Sequence, residues 1–297
     1  MKITIIGQGA WGRALGFVAK TAGHDVEFWS RQNQNQHALL KSDAAILAVP
    51  AQAMREVLGQ LKLTSPLISA AKGLEQSTGK TMAELAIELM PASEFYALSG
   101  PSFAADVIAG LPTAVALAGD DLHKATHWAK ALSLQTFRIY PSDDVRGVEI
   151  GGAMKNVLAI ACGISDGQSL GESARASLVT RGFAELVRYG KKLGAKPETL
   201  MGLSGFGDLQ LTCSSLKSRN YNFGYNVGKG FSVAEALAAS AGVVEGAPTA
   251  IIAQKLAKQH NVEMPIVSAV AAIVDGSSNP KDEILKLLSR PVRGENQ

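Results

Sequence analysis

Cysteine is nearly absent. Cys162 and Cys213 are the only two in 297 residues. Neither belongs to a C-x-x-C pair, so neither a zinc site nor a disulfide framework is indicated, and a reducing compartment fits. The chain also lacks a charge excess. A formal net charge of +3 is too small to mark a nucleic-acid binder, although it leaves room for local cation clusters facing an anionic substrate. Long apolar runs are missing too. The stretch from Val262 to Val274 is interrupted by charge or proline and falls short of the roughly 20 apolar residues of a membrane span. The opening Met1-Lys2-Ile3-Thr4-Ile5-Ile6 enters a glycine turn at Gly7, without the longer apolar stretch and cleavage site of a signal peptide. A cytoplasmic protein without membrane or nucleic-acid partners is expected. Hydrophobic residues at 46% against 19% charged are ample for a core, and the length favours two domains or one large one.

The first half alternates short β-branched runs with helical patterns. Strands are expected over Lys2–Ile6, Asp25–Trp29, Ala44–Val49, Leu67–Ala70, Phe95–Leu98, Thr113–Leu117 and Phe137–Tyr140. Several are apolar throughout, as in a mainly parallel sheet covered on both faces. Helices are expected at Ala10–Ala22, Ala51–Leu61, Thr81–Met90 and Leu122–Leu132, which gives an open sheet with helices on both sides. After Pro141 the strand pattern ends. Ser173–Leu193, Val233–Ala241 and Thr249–His260 carry apolar residues at helical spacing. The expected organisation is a doubly wound Rossmann-like α/β domain over residues 1–141 and an all-α domain over 142–297, with a frayed tail from Arg290.

Gly7-Gln8-Gly9-Ala10-Trp11-Gly12 is a G-x-G-x-x-G placed between a strand and an amphipathic helix. The first glycine permits a tight turn, the second lets the backbone approach a pyrophosphate, and the third lets helix and strand pack closely. The helix N-terminus adds N–H donors and a positive dipole end. Such a hexapeptide is weak evidence alone, and its position carries the dinucleotide reading. The second strand ends Trp29-Ser30-Arg31, where an NAD-specific site would often place a carboxylate for the ribose hydroxyls. A hydroxyl and a guanidinium suit a 2′-phosphate better, so NADP is expected to be preferred over NAD. Gly73 to Thr81 looks like a P-loop, but five residues separate its glycines where that motif needs four, and it is set aside.

Three later segments combine glycines with ionisable groups. Gly151-Gly152-Ala153-Met154-Lys155-Asn156 holds a lysine in a small, apolar stretch at an expected helix start. A snorkelling side chain is the ordinary reading, while partial burial would make Lys155 a usable proton donor. Asp208 and Thr212, four apart after Gly205-Phe206-Gly207, would share one helix face, though Asp208 could simply cap that helix. Ser218-Arg219-Asn220 suits a phosphate, although polar trios are common in loops. His123 and His127 are also four apart, yet no acidic motif surrounds them, so no metal site is expected.

Together these segments resemble the NAD(P)-dependent glycerol-3-phosphate dehydrogenase family of bacteria. The matching blocks run in family order: GQGAWGRALG, AAKGLE, SGPSFA, GLPTAVALA, GGAMKNVLAIACGISDG, TRGFAEL, GLSGFGDLQLTC with SRN, VVEG and VEMPI. The resemblance implies a 6-phosphogluconate dehydrogenase-like fold and reduction of dihydroxyacetone phosphate by NAD(P)H, supplying phospholipid synthesis. It implies that Lys155 is the proton donor, with Asn156, Asp208 and Thr212 beside it. Lys72, Gly100 and Ser102 would line the substrate site, and Ser218, Arg219 and Asn220 would hold the phosphate end. Contacts to the dinucleotide would come from Gly7, Gly9, Ala10, Trp11, Gly12, Arg31, Lys72, Ala104, Arg219, Val243 and Glu245. No metal is needed, and a homodimer is a family-level expectation.

The sequence departs from the family in one interval. Only Gln32 to Asp43 separate the second strand from the strand ending in Val-Pro, where several dozen residues are usual. A helix, a strand and a loop near the adenine ribose would be missing. Ala10 also replaces the usual serine of the phosphate turn. Two other readings are open: a ketopantoate reductase-like enzyme for a small keto acid, and a dinucleotide-binding sensor without catalysis.

Overall fold

The computed structural model describes residues 1–31, 42–61, 63–291 and 294. Most of the short interval from Gln32 and most of the final tail therefore lie outside the described residues. The first half forms one seven-stranded sheet in the order β2-β1-β3-β4-β5-β6-β7. Its strands are β1 (Lys2–Ile6), β2 (Asp25–Trp29), β3 (Ala44–Leu47), β4 (Leu67–Ser69), β5 (Phe95–Ser99), β6 (Thr113–Gly119) and β7 (Phe137–Ser142). All seven stand where the alternating apolar runs place them.

The sheet is parallel except between β5 and β6, which pair antiparallel with Tyr96 opposite Gly119. The cause is the connection. Between Ser99 and Thr113 the chain forms only α4 (Ala104–Ile108), a five-residue helix about 7 Å long. That is less than half the length of β5, so the chain does not travel back beneath the sheet, and β6 returns in the opposite direction. β7 then pairs parallel to β6. The hydrophobic pattern gave no warning of α4, which is short and lies among prolines and glycines.

Successive side chains of β1 point to opposite faces, and two cores result. Ile3 and Ile5 pack with Leu15 and Val18 of α1 (Ala10–Thr21) and with Trp128 and Leu132 of α5 (Leu122–Leu132). Ile6 and Leu47 pack with Met54 and Leu58 of α2 (Met54–Gln60) and Leu85 of α3 (Met82–Leu89). The Gly73–Thr81 loop ends in a capping box, Thr81 and Glu84 bonding each other's backbone N–H at the start of α3. Its Lys80 is committed to Glu88 at 2.6 Å.

The second half is built around α6 (Val145–Gly167), a 23-residue helix buried along most of its length. It is the one described helix long and apolar enough to cross a membrane, and here it is the core of a helical layer. Around it lie α7 (Glu172–Lys192), α8 (Pro197–Met201), a π-helical turn at Leu203–Gly207, α9 (Asp208–Thr212) and α10 (Arg219–Gly228). The layer closes with α11 (Val233–Ala238), α12 (Gly246–Gln259), α13 (Pro265–Val274) and α14 (Pro280–Leu288). Lys155 thus sits in the middle of a helix, not at its start. The N-terminus lies ten residues earlier, because the Asp144 carboxylate accepts the Gly147 N–H at 2.8 Å and caps the helix there.

Two buried carboxylates tie helices together. Glu149 of α6 accepts the Ala83 N–H at 2.9 Å, fixing the start of α3 to the helical half. Glu185 of α7 accepts the N–H groups of Ile266 and Val267 at the start of α13. Burial pushes both carboxyls up to about 7.

Glycines let α6 and α10 meet backbone to backbone. A Cβ on Gly163 would lie 2.1 Å from the Tyr221 carbonyl oxygen, and one on Gly224 would lie 2.2 Å from the Ile160 carbonyl oxygen. Gly163→Ala should therefore force the helices apart and destabilise the protein by about 2 kcal/mol, within the range of overpacked cores. The urea midpoint measures it, and an unchanged midpoint would show that the two helices separate without strain.

Candidate active site

The glycine turn has the geometry its spacing requires. Gly7 has φ +107°, and its N–H donates to the Trp29 carbonyl at 3.0 Å. A Cβ on Gly12 would strike the Gly7 carbonyl oxygen at 2.0 Å, so the third glycine is where helix meets turn. A Cβ on Gly9 would meet nothing within 4 Å. The space over Gly9 is open, and no side chain caps α1. The first-turn N–H groups therefore remain available to an anion, as a dinucleotide pyrophosphate needs. Ala10 is exposed beside them. Trp11 packs with Ala104 against the sheet core, and its indole N–H has no partner. Arg31, just past β2, is exposed and paired with Glu56 at 3.1 Å.

Opposite this turn, α6 and the π turn bring the ionisable groups together. A Cβ on Gly151 would lie 2.7 Å from the Ser204 carbonyl oxygen, so the π turn lies directly on α6. Its i→i+5 bonding spans one residue more than an α-helix's, a feature frequent at functional sites, and here α9 begins right after it with Asp208. The Lys155 ammonium donates to Asp208 Oδ1 at 2.6 Å and to Thr212 Oγ1 at 2.9 Å. From the sheet side, Lys72 donates to Asp208 Oδ2 at 2.8 Å and to the Gly100 carbonyl at 3.0 Å. One carboxylate thus holds two ammonium ions, each on its own oxygen.

Burial decides the protonation states. Lys155 is 7% exposed and Asp208 1%. Burial lowers Lys155 to about 8, because the nearby Asp208 only partly offsets it and the Lys72 charge adds to it. Burial alone would raise the Asp208 carboxyl, but Lys155 and Lys72 together outweigh that and hold it below the usual carboxylate range. The result is an ionised carboxylate beside an amine that exchanges its proton near neutral pH. The ordinary expectation of a snorkelling Lys155 does not hold.

A row of amides frames this group. Asn156 donates to the Lys72 carbonyl at 2.9 Å and accepts from Asn220 at 2.9 Å, and Asn220 in turn accepts the Gly246 N–H at 2.8 Å. Asn220 is buried and committed here, so its amide serves the framework rather than standing free in a loop. The trio is not a loop at all. Ser218 caps α10, its Oγ accepting the Tyr221 N–H at 3.2 Å, and Arg219 opens the helix. Among the described residues nothing accepts a hydrogen bond from the exposed Arg219 guanidinium. Ser102 donates to the Gly100 carbonyl at 3.0 Å. Gly100 itself has φ +152° and lies so near Val115 that a Cβ would reach its Cα at 2.8 Å. Glu245 is largely buried, and one oxygen accepts the Ala51 N–H at 3.1 Å while the other has no partner. Burial raises its carboxyl. Val243 is 44% exposed.

The residues singled out in the sequence therefore fall into two groups. Lys72, Lys155, Asn156, Asp208, Thr212 and Asn220 form one bonded network. Gly9, Ala10, Arg219 and Val243 are exposed and stand outside that network. Ala51 and Gly246, which pin Glu245 and Asn220, escaped the sequence reading because each contributes only a backbone N–H. His123 and His127 are exposed on α5, and among the described residues no three His, Cys, Asp or Glu side chains converge as metal ligands would.

Comparison with known proteins bears on the same blocks. The model of the NAD-dependent glycerol-3-phosphate dehydrogenase C-terminus matches residues 144–285, and that of the N-terminus matches 2–40 and 31–125. The glycerol-3-phosphate dehydrogenase [NAD(P)+] of Parvibaculum lavamentivorans is 47% identical, covering 99% of this chain and 98% of its own. That of Brucella melitensis is 43% identical over 99% of both. The crystal structure of glycerol-3-phosphate dehydrogenase from Coxiella burnetii superposes with a TM-score of 0.91 at 34% identity, over 97% of this chain and 98% of that one. The alignments to the two relatives extend over 326 and 328 positions, more than this chain contains. The N-terminal model breaks in the interval after Arg31, where the sequence is short.

Asp208→Asn would leave one buried and one partly buried ammonium ion without their shared counter-charge. The variant should lose about 3 kcal/mol of stability at neutral pH, as when one partner of a buried ion group is removed. Urea denaturation measures the loss. An unchanged midpoint would mean that solvent already screens both lysines.

Proposed function

The chain belongs to the NAD-dependent glycerol-3-phosphate dehydrogenase family, and on that premise we propose how its residues divide the reaction. It is an NAD(P)-dependent oxidoreductase that interconverts dihydroxyacetone phosphate and sn-glycerol 3-phosphate, supplying the latter for phospholipid synthesis. In our reading residues 1–141 hold the dinucleotide and residues 142–297 supply the groups that face the substrate. The reading includes a cytoplasmic location, which the buried free thiols of Cys162 and Cys213 fit. It also includes a homodimer, which light scattering would test against the 31.1 kDa of one chain.

Lys155 is the proton donor in ketone reduction and the acceptor in alcohol oxidation. A nicotinamide bound beside it would supply or accept the hydride. As negative charge grows on the C2 oxygen of the ketone, the Lys155 ammonium stabilises it and then gives up a proton. Asp208 and Thr212 hold that ammonium in place, and Asn156 fixes the Lys72 backbone across the cleft. Lys72 contributes a second cation near the same oxygen, with Gly100 and Ser102 beside it. Arg219, aided by the Ser218 hydroxyl, takes the substrate phosphate, and anchoring that end orients C2. Asn220 acts behind them through Asn156. Gly7, Gly9, Ala10, Trp11 and Gly12 receive the pyrophosphate, and Ala104, Val243 and the unpartnered oxygen of Glu245 border the dinucleotide. A single observation carries this assignment. The Lys155 amine is buried and bonded to Asp208 at 2.6 Å, and that burial lowers its pKa to about 8.

Lys155→Ala should lower turnover about 10³-fold, the scale of a lost general acid, while NADPH binding followed by fluorescence stays near the parent value. Preserved turnover would sink the assignment. The sign of the pH dependence follows from the lowered pKa. Ketone reduction needs the ammonium form, so its kcat/KM should fall as pH rises through about 8. Alcohol oxidation needs the free amine and should rise through the same point. A flat profile in both directions would exclude Lys155 as the titrating group.

Cofactor preference rests on Arg31. Its only partner among the described residues is an exposed carboxylate, Glu56, a pair weak enough for a 2′-phosphate to displace. The expected outcome is a higher kcat/KM with NADPH than with NADH, reduced toward parity in Arg31→Ala. Equal efficiency in the parent enzyme would show that Arg31 does not read the ribose.

A further inference from the structure

Most links between the nucleotide half and the helical half at the cleft are withdrawn from solvent at least in part: Lys72 with Asp208, Asn156 with the Lys72 carbonyl, and Glu245 with Ala51. At the outer edge there is another of a different kind. Lys217 is 66% exposed, yet its ammonium reaches across to Asp106 of α4 at 3.4 Å and lies 5.8 Å from the centre of the Phe103 ring. Phe103 immediately precedes α4, and Asp106 stands in the first turn of that helix. Lys217 immediately precedes Ser218 and Arg219. Its own turn is tight, with the Lys217 N–H donating to Ser215 Oγ at 3.2 Å and the Ser218 N–H to the Ser215 carbonyl at 2.9 Å. A pull on the Lys217 side chain is therefore passed to the start of α10. At its other end the Gly100–Asp106 segment is held by Lys72 through the Gly100 carbonyl.

We propose that Lys217 is a positioning residue, a latch across the mouth of the cleft that holds the Ser218–Arg219 turn against the Phe103–Asp106 segment. The inference rests on the reading above, in which Arg219 takes the substrate phosphate. With the latch closed, Arg219 is held toward the sheet side of the cleft, and phosphate is gripped between the two halves. With it open, the turn is free to move away and release product. Both attractions are built for reversal. An exposed ion pair and an exposed ammonium over a phenyl ring are each weak and, for the pair, screened by salt. The buried Lys72–Asp208–Lys155 group cannot open in this way without leaving unpaired charge. A hinge that must release a dianion every turnover is better closed by Lys217 than by the groups that do the chemistry.

A charge swap tests the latch. Lys217→Glu places like charge against Asp106, and Asp106→Lys does so against Lys217. Each should raise KM for dihydroxyacetone phosphate about fivefold, the scale of a lost exposed pair turned repulsive, with kcat unchanged or increased. The double variant should return KM to within about twofold of the parent, because the pair is restored with its signs exchanged. Hydrogen exchange reads the same device without turnover. Amides of residues 213–218 should exchange faster in each single variant and at the parent rate in the double. Rescue of both KM and exchange supports the latch. Singles that match the parent, or a double variant no better than the singles, overturn it. Rescued exchange with no response of KM would leave a latch that does not serve phosphate binding, and would overturn the placement of Arg219 as well. An inactive parent would refute the catalytic reading alone, since the exchange data would still report the pair.

Discussion

The Asp208 carboxylate, shared between Lys155 and Lys72, is the constraint on which the rest of the molecule depends. A buried carboxylate costs free energy unless it is paired, and two ammonium ions arriving from opposite halves supply the pairing. Lys72 follows β4 in the sheet half, Lys155 stands in the central helix, and Asp208 opens α9. The group can form only when the three segments are brought together, so these charges also fix how the two halves meet. Its balance is uneven by design of the surroundings. Asp208 stays ionised because two cations outweigh its burial, while Lys155 has one anion, one repelling cation and little water, and its pKa falls to about 8.

Packing sets the distances that make this balance possible. The π turn rests on α6 at Gly151, and α10 rests on α6 at Gly163 and Gly224. Larger residues at those contacts would move Asp208 or the Ser218–Arg219 turn away from Lys155. The amides of Asn156 and Asn220 then lock the same elements by direction as well as by distance. Glycine contacts bring the helices close, and the amide row prevents them from sliding.

Much of the fold was legible because local periodicity is a strong signal wherever both faces of an element are defined. All seven strands, α1, α3, α5 and α7 follow from apolar spacing. The G-x-G-x-x-G was readable because strand and helix flank it. Other features were not. The 23-residue α6 has apolar, small and polar residues on every face, since it is surrounded on all sides, and no amphipathic stripe reveals its limits. That is why Lys155 looked like a residue near a helix start. The antiparallel turn of β6 depends on how far α4 can carry the chain, a matter of length in space. Arg219 and Asn220 looked equivalent in the sequence, yet one points outward and the other is consumed by the framework.

The amino-acid sequence by itself determined the two-part architecture, the dinucleotide turn and the identity of the ionisable residues, because each is written in neighbours along the chain. Only the tertiary structure decided that Lys72 and Lys155 share one carboxylate, that Lys155 is starved of water, and that Lys217 reaches across the cleft. Those facts join residues up to 136 positions apart. Charge, burial and distance between such residues exist only after the chain has folded, and together they lower the pKa of an ordinary lysine to about 8.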